Sequence, residues 1–569
     1  MKIYNYFTLL SYFLLIFISK VAHGQEISQN RIDSIFTQFS KVTPGISISL
    51  IEGNKSVLRK SYGNANLEYN IPVDPKTVFH IASDSKRFTA LAILLLEEQG
   101  ELKLSDSIQK YLTSFPDFGH EITIEHLLQH TSGLRDQWQL LGMAGWRMED
   151  IVTQEQILKV LYKQRELNFL PKSEFVYCNS GYTLLAEIVQ VVSGQSFEDF
   201  TRKNIFEPLG MYNTHFHANH KQIVKNRAYS YSKVNDSIFQ KEILNFANTG
   251  ATGLFTNVED IEKWIINVMN AKPIVGSTAI YKKMQEQLVL NNGEEMMYGM
   301  GEMVFNIGKK KLIGHGGNDA GFNSFIGYYP EYNVGVIALC NWREVASGNL
   351  IIELAGEYLK DKTLQKKEDF NKPKKEVEEK KRKFIKPNKQ HLEQQVGIYE
   401  TVWGNVYVKN VDGELYFKNV GDNESFMLFN SENRECYFNK DNEHVLIFSN
   451  ENNGLFNKLK ITGPNNTNFS AQRIHLAEYT ITDLKEFTGV YRSDELDTEY
   501  EITLQSDSLV AIHSRHSDIP LKVKSRDRFS GDLWYFDLLE FTRDSQNRIN
   551  GVLISGGRGR AKNVRFNKR

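Results

Sequence analysis

Hydrophobic and polar positions change their period along the chain, and each period predicts a different element. Residues 45–63, GISISLIEGNKSVLRKSYG, form two alternating runs around Glu52-Gly53-Asn54, the pattern of a β-hairpin. In KRFTALAILLLEEQG, Phe88, Leu91, Ala92, Leu95 and Leu96 recur at helical spacing, and Gly100 supplies a stop. The apolar positions cover almost the whole circumference, so this helix is expected at the centre of a core. SGYTLLAEIVQVVSGQSFEDFTRKNIFEPLGM reads as two further helices, the first ending near Gly194. GHGGNDAGFNSFIGYYPEYNVGVIALCNW reads as two or three strands, with turns at Gly316-Gly317 and from Pro330 to Asn333.

After this alternation the pattern breaks. KDKTLQKKEDFNKPKKEVEEKKRKFIKPNKQ is dominated by charge and bounded by prolines, and reads as a solvated linker. Beyond it the chain repeats: LEQQVGIYETVWGNVYVKNVDGELYFK is echoed by LKEFTGVYRSDELDTEYEITLQSDSLVAIH, with Gly397 and Tyr399 aligned on Gly489 and Tyr491. Each copy carries short alternating runs separated by turns such as Asp412-Gly413, enough for roughly eight strands, and closure into small barrels would remove their exposed edges. The expected organisation is a leader at 1–24, a catalytic unit at 25–364, a linker at 365–390 and two β-barrel repeats at 391–478 and 479–569.

Composition narrows the class of partner. The 569 residues carry 68 basic and 69 acidic side chains, so no global field draws the protein to nucleic acid or anionic lipid, and a small-molecule or peptide partner is expected. Lys2, the apolar run from Phe7 to Ile18 and Ala22-His23-Gly24 have the form of an export signal cleaved before Gln25. A periplasmic or secreted bacterial protein with no stable membrane span after cleavage follows. Three widely separated cysteines, Cys178, Cys340 and Cys436, do not form a disulfide framework.

The chemistry starts in FHIASDSKRF. A serine hydroxyl is a weak nucleophile until a neighbouring base takes its proton. Positions i and i+3 share a helix face, so Ser83 and Lys86 can meet, whereas Ser85 points roughly 100° away. A helix start also offers backbone N–H groups to a developing oxyanion. In FVYCNSGY, a lysine ammonium beside Tyr177 is expected to lower the phenol pKa from about 10, making Tyr177 a candidate base for Ser83. Asn179 has the donor and acceptor needed to hold both Lys86 and a substrate carbonyl. In IGHGGNDAGF, His315-Gly316-Gly317 is expected on a strand edge where a substrate backbone could pair, and the Asn318 N–H could complete an oxyanion hole with that of Ser83. His130 reads as structural. His215, His217 and His220 lack a partner carboxylate motif, and neither a metal nor a cofactor is called for.

Ser83-x-x-Lys86, Tyr177-x-Asn179 and His315-x-Gly317, in this order, resemble the serine β-lactamase and penicillin-binding-protein superfamily, its class C-like branch. LLQHTSGL, FEPLGMYNTHF, GATGLFTNVEDIEKW and YGMG look familial as well, and the resemblance covers about residues 27 to 360. It implies an α/β (α+β) β-lactamase-like sandwich, an antiparallel sheet flanked by helices, here followed by two small all-β barrels. It also implies a Ser83 acyl-enzyme that cleaves esters or amides. The architecture is similar to bacterial D-aminopeptidases of this superfamily. The third motif of β-lactamases and DD-peptidases usually begins with a lysine that meets the substrate carboxylate. Here His315 stands there, mostly uncharged near pH 7.5 if its pKa is about 6.5, so weak β-lactamase or DD-carboxypeptidase activity and a preference for esters or for amides without an obligatory carboxylate are expected. Cys178 replaces the family's common serine, and its side chain is expected to point away from the site. The competing class is a binding or sensor protein that keeps the scaffold but turns over little.

Overall fold

A computed structural model describes residues 28–235, 238–360, 389–401, 404–418, 426–430, 436–439, 445–452, 455–462, 468–475 and 477–569. The expected leader, and all but the last two residues of the expected linker, lie outside them. The catalytic unit is built on helices α1 (Gln29–Ile35), α2 (Ser85–Glu98), α3 (Gln137–Met143), α4 (Asn179–Ser193), α5 (Val258–Met269) and α6 (Ser347–Leu359), with shorter pieces between. Strands β1 (Ile46–Glu52), β2 (Lys55–Tyr62), β3 (Met303–Ile307), β4 (Lys310–Asp319), β5 (Phe322–Tyr329) and β6 (Val334–Cys340) form one antiparallel sheet, in the order β3-β4-β5-β6-β1-β2. The two chain ends of the unit therefore meet in the middle of the sheet, where Ile46 pairs with Cys340.

Period-two alternation sorts this sheet between two cores. Ile46, Ile48 and Leu50 of β1, with Val336 and Ala338 of β6, pack with Ile32 and Ile35 of α1 and Ile351 and Leu354 of α6. Ile337 and Leu339 face the opposite core, around α2, α4 and α5. Every residue of α2 from Ser85 to Leu96 is buried, as its all-round apolar pattern predicts. Gly100 ends that segment with φ 79°, and Gly194 caps α4 with φ 67°. The predicted first hairpin forms around residues 53–54, with Glu52 opposite Lys55.

One predicted turn is wrong. Gly316-Gly317 is not a turn: β4 runs straight through it to Asp319, and the chain reverses at Ala320 and Gly321, where φ is 43° and 78°. The glycine serves a close approach, since a Cβ on Gly317 would lie 2.1 Å from the Ile81 carbonyl oxygen.

Both repeats close into eight-stranded barrels, the first running from Gly397–Thr401 to Asn468–Ile474 and the second from Gly489–Ser493 to Ala561–Lys568. Their aligned tyrosines do the same work: Tyr399 donates to the Gln395 carbonyl at 2.8 Å and Tyr491 to the Phe487 carbonyl at 2.7 Å. The barrels differ in how they are attached. The first has a core of its own, whereas the apolar interior of the second is continuous with that of the catalytic unit. Helix α3 is the junction. Tyr500 donates to the Met143 carbonyl at 3.0 Å, and a Cβ on Gly142 would lie 2.6 Å from Tyr535. Just before α3, the buried Arg135 donates to Glu495 at 2.7 Å and to the carbonyls of Lys562 and Asn563 at 2.9 and 3.2 Å.

Arg135→Ala would leave Glu495 buried without a cation, with the Arg165 N–H at 3.1 Å still donating to it, so a loss of about 3–5 kcal/mol is expected in urea unfolding. Glu495→Ala added to it should cost less than the sum of the two single changes, because the stranded charge is then gone.

Candidate active site

Ser83 occupies a single 3-10 turn, Ala82–Asp84, that runs directly into α2. Ala82 enters that turn at φ 48°, a left-handed backbone that costs a non-glycine residue about 1–3 kcal/mol and is held by its surroundings. The bend leaves Ser83 partly exposed between buried neighbours. Ser85 is fastened elsewhere: its hydroxyl donates to the Ala82 carbonyl at 2.6 Å and accepts from Leu254 N at 3.1 Å.

Lys86 is fully buried, and its Nζ has three oxygen neighbours: Ser83 Oγ at 3.2 Å, Asn179 Oδ1 at 2.8 Å and the Ala251 carbonyl at 2.7 Å. An ammonium satisfies all three as donor. A neutral amine keeps two N–H donors and turns a lone pair to the third. Burial pushes the Lys86 pKa down to about 7, against the opposing charge of Asp136. Near neutral pH the amine can therefore hold Asn179 and Ala251 while its lone pair faces the Ser83 hydroxyl.

Tyr177 lies in the loop before α4, with its ring centroid 4.9 Å from Lys86 Nζ and 4.2 Å from the His130 ring. Its hydroxyl is buried and makes no well-directed hydrogen bond. Burial raises its pKa, while the Ser83 hydroxyl and the Arg560 charge pull weakly the other way. The expected lowering does not occur, because desolvation of a phenolate outweighs the Ser83 hydroxyl and the Arg560 charge. Tyr177 is thus a neutral phenol in the resting site.

Asn179 is the first residue of α4. Its backbone N and its Nδ2 donate to Asp136 Oδ2 at 2.6 and 2.9 Å, which aims Oδ1 at Lys86. The Cys178 thiol turns away toward the Leu134 carbonyl at 3.4 Å, and burial pushes its pKa up to about 12. His130 sits beneath Tyr177 in a left-handed conformation, φ 58°, and its Nδ1 accepts from Cys178 N at 3.1 Å, a structural placement. His215 and His217 pack on Phe255.

The strand edge expected at His315-Gly316-Gly317 is a local one, since β4 is interior to the sheet at its start, where β3 pairs with it. Its neighbour β3 pairs only as far as Met303 opposite Gly314, however, so residues 315–319 present an unpaired side. Gly317 faces the Ser83 turn, Gly316 is half-buried and Asn318 is exposed. His315 is buried, and its Nδ1 donates to the Gly316 carbonyl at 2.6 Å, which leaves Nε2 as an unpartnered acceptor. Burial and the Lys86 charge push the His315 pKa down to about 3, so this residue is neutral throughout the physiological range. The usual value near 6.5 does not apply in this enclosed position.

Three contributors had gone unread in the sequence. Asp136 orients Asn179, the Ala251 carbonyl holds Lys86, and Arg560 of the second barrel lies over Tyr177, its guanidinium carbon 5.5 Å from the ring centroid. Ala251 belongs to the quoted stretch GATGLF, which marked the place without showing the contact. Nothing in the sequence near Arg560 connects it to a serine 477 positions away.

Residues 32–358, more than half of the chain, match the family model described as Beta-lactamase. The chain belongs to the β-lactamase family. It is similar to Penicillin-binding protein 4* of Bacillus subtilis (strain 168), 30% identical over 321 residues that cover 54% of this chain and 70% of the relative. It is also similar to Protein flp of Staphylococcus aureus (strain MRSA252), 29% identical over 326 residues, 55% of this chain and 63% of that one. The match thus spans less than two thirds of flp. Among solved structures, the octameric penicillin-binding protein homologue from Pyrococcus abyssi superimposes with a TM-score of 0.52 at 24% identity, covering 88% of this chain and 100% of that one. D-amino acid amidase from Ochrobactrum anthropi SV3 does so with a TM-score of 0.50 at 21% identity, covering 58% and 98%. These structural likenesses are of fold. As a member of the β-lactamase family the protein is a serine hydrolase of the β-lactamase and penicillin-binding-protein kind.

In this β-lactamase-family site, Gly317→Ala would drive a methyl group into the backbone beside Ser83. A displacement of about 1 Å at a reacting atom costs on the order of 10²-fold, so a loss of that size in kcat is expected from steady-state kinetics.

Proposed function

We propose that the protein hydrolyses ester or amide bonds, D-amino-acid peptides among the candidates, through an acyl-enzyme on Ser83 with Lys86 as the base. The observation that carries this reading is the Lys86 geometry: two fixed oxygen acceptors and the Ser83 hydroxyl around an amine with a pKa of about 7. In the neutral form Lys86 takes the Ser83 proton as Oγ attacks the carbonyl carbon. Tyr177, protonated and adjacent, is placed to pass a proton to the leaving group. The start of α2 and the open side of β4 surround the position where negative charge develops. Water then attacks the acyl-enzyme, and the same groups run in reverse.

The neutral His315 gives the substrate specificity its direction. Two relatives carry penicillin-binding names, but the third motif here offers no cation to a carboxylate held rigidly beside the scissile bond. Simple esters and flexible amides suit such a site better than penicillins and cephalosporins. The leader-like residues 1–24 support action outside the cytoplasm, as a periplasmic or secreted enzyme. Among the described residues no helix is long and apolar enough to cross a membrane.

Wild type and Ser83→Ala should be compared on p-nitrophenyl esters, D-aminoacyl anilides, D-Ala-D-Ala peptides and nitrocefin, with mass spectrometry for an acyl adduct. The adduct is expected on wild type alone, and nitrocefin should be turned over far more slowly than the best ester; comparable rates, or an adduct that survives the substitution, would sink the reading. The pH profile is a separate check. Because the pKa of Lys86 is lowered, its basic form grows as pH rises, so kcat/KM for a neutral ester should climb through a pKa near 7 and fall away below it. Tyr177→Phe should slow the reaction by roughly 10²–10⁴-fold yet keep that limb, whereas Lys86→Met should remove it.

A further inference from the structure

The second barrel reaches the wall of the Ser83 cleft through its last hairpin, between β7 (Ile549–Gly556) and β8 (Ala561–Lys568). The Arg560 carbonyl accepts from Asp136 N and from Asn168 Nδ2, each at 2.8 Å, and Asn168 Oδ1 accepts from Lys562 N at 2.7 Å. Asp136 is also the residue that holds Asn179, so a single side chain separates the barrel from the group gripping Lys86. A Cβ on Gly557 would lie 2.6 Å from the Gln139 side chain, which shows how closely the turn is seated. The backbone of Arg560 is fixed, and its side chain extends over Tyr177.

Two arginines of this interface differ in what they are left to do. The guanidinium of Arg135 is occupied by Glu495 and by main-chain carbonyls. That of Arg560 has, among the described residues, neither a carboxylate partner nor a side-chain hydrogen bond, although the residue is half-buried. A guanidinium carries five donors and no acceptor, and leaving it partly desolvated is unfavourable unless an acceptor arrives. The ring it covers carries a buried hydroxyl without a partner, Tyr177 Oη, and on the strand near that ring, 6.2 Å between centroids, His315 has an unpartnered Nε2 and no charge.

We propose that Arg560 is a substrate-recognition residue, which pairs with a carboxylate on the substrate and supplies from the second barrel the positive charge that β4 lacks at His315. The proposal rests on the Ser83 acyl-enzyme reading and narrows its substrate class to flexible acyl compounds or peptides bearing a carboxylate near the scissile bond. A neutral substrate still reacts, without the added attraction.

Matched esters test this: the mono-p-nitrophenyl ester of glutaric acid against p-nitrophenyl butyrate, and butyryl 3-hydroxybenzoate against phenyl butyrate, place the charge on either side of the scissile bond. In at least one pair the anionic member should have the higher kcat/KM. Arg560→Gln should lower the anionic-to-neutral ratio of kcat/KM about tenfold or more, chiefly through the KM of the anionic member. Arg560→Lys should recover part of the loss, and added salt should shrink the preference. Among the described residues the Arg560 side chain makes no hydrogen bond or ion pair and its contact is the Tyr177 ring, so the thermal midpoint of both variants should stay within about 3 °C of the wild-type value. Binding provides a readout free of turnover: in Ser83→Ala, glutarate should bind more tightly than glutaramide by calorimetry, and Arg560→Gln should erase the difference. Equal behaviour of anionic and neutral members in wild type, a loss shared by both in Arg560→Gln, or glutarate binding that is absent or indifferent to Arg560 would overturn the proposal. Loss of all ester turnover with no Ser83 adduct would instead count against the acyl-enzyme reading, while the binding comparison would still decide the role of Arg560.

Discussion

A lysine nitrogen buried beside a serine is the constraint around which the catalytic unit is arranged. An ammonium removed from water is strongly disfavoured unless oxygens replace its hydration, and Lys86 receives them from two distant parts of the chain, Asn179 at the start of α4 and the Ala251 carbonyl. The same burial that makes those contacts necessary lowers the pKa to about 7, so a side chain that is normally always charged can lose its proton near neutral pH. Packing and reactivity here are one effect. The strained Ala82, the all-round burial of α2 and the approach of Gly317 to Ile81 all bring the serine to this nitrogen and hold it there.

The second barrel belongs to that arrangement as much as the catalytic unit does. It shares a hydrophobic interior with the unit, and it fixes the segment at Arg135 and Asp136 by an ion pair and by main-chain hydrogen bonds. Asp136 then orients Asn179. The first barrel has its own core, and its tie to the second includes the Arg528–Glu400 pair at 2.7 Å. Two copies of one repeat thus differ in attachment: the second lays Arg560 over Tyr177 and shares the catalytic unit's core, and the first encloses a core of its own.

The local parts of the fold were legible because they depend on near neighbours in sequence. The hairpin at residues 53–54, the buried helix after Ser83, the stops at Gly100 and Gly194 and the paired tyrosines of the repeats all follow from periodicity and spacing. Ser83 was separated from Ser85 by helical geometry alone. The errors lie where one residue type serves two purposes. Gly316-Gly317 looks like a turn, but glycine also permits close approach, and only the sheet reveals which applies. A lysine neighbour predicts a lowered pKa for Tyr177, but a sequence contains no measure of burial, and burial decides the sign.

Sequence by itself determined the meeting of Ser83 with Lys86, the family and the existence of two β repeats, since each is encoded in short motifs or in a period. Tertiary structure decided how deeply Lys86 and Tyr177 are enclosed, how far β4 is open, that His315 is buried, and that a barrel arginine lies over Tyr177. Those properties depend on desolvation and on contacts between segments hundreds of residues apart, and both arise only when the chain has closed around Lys86.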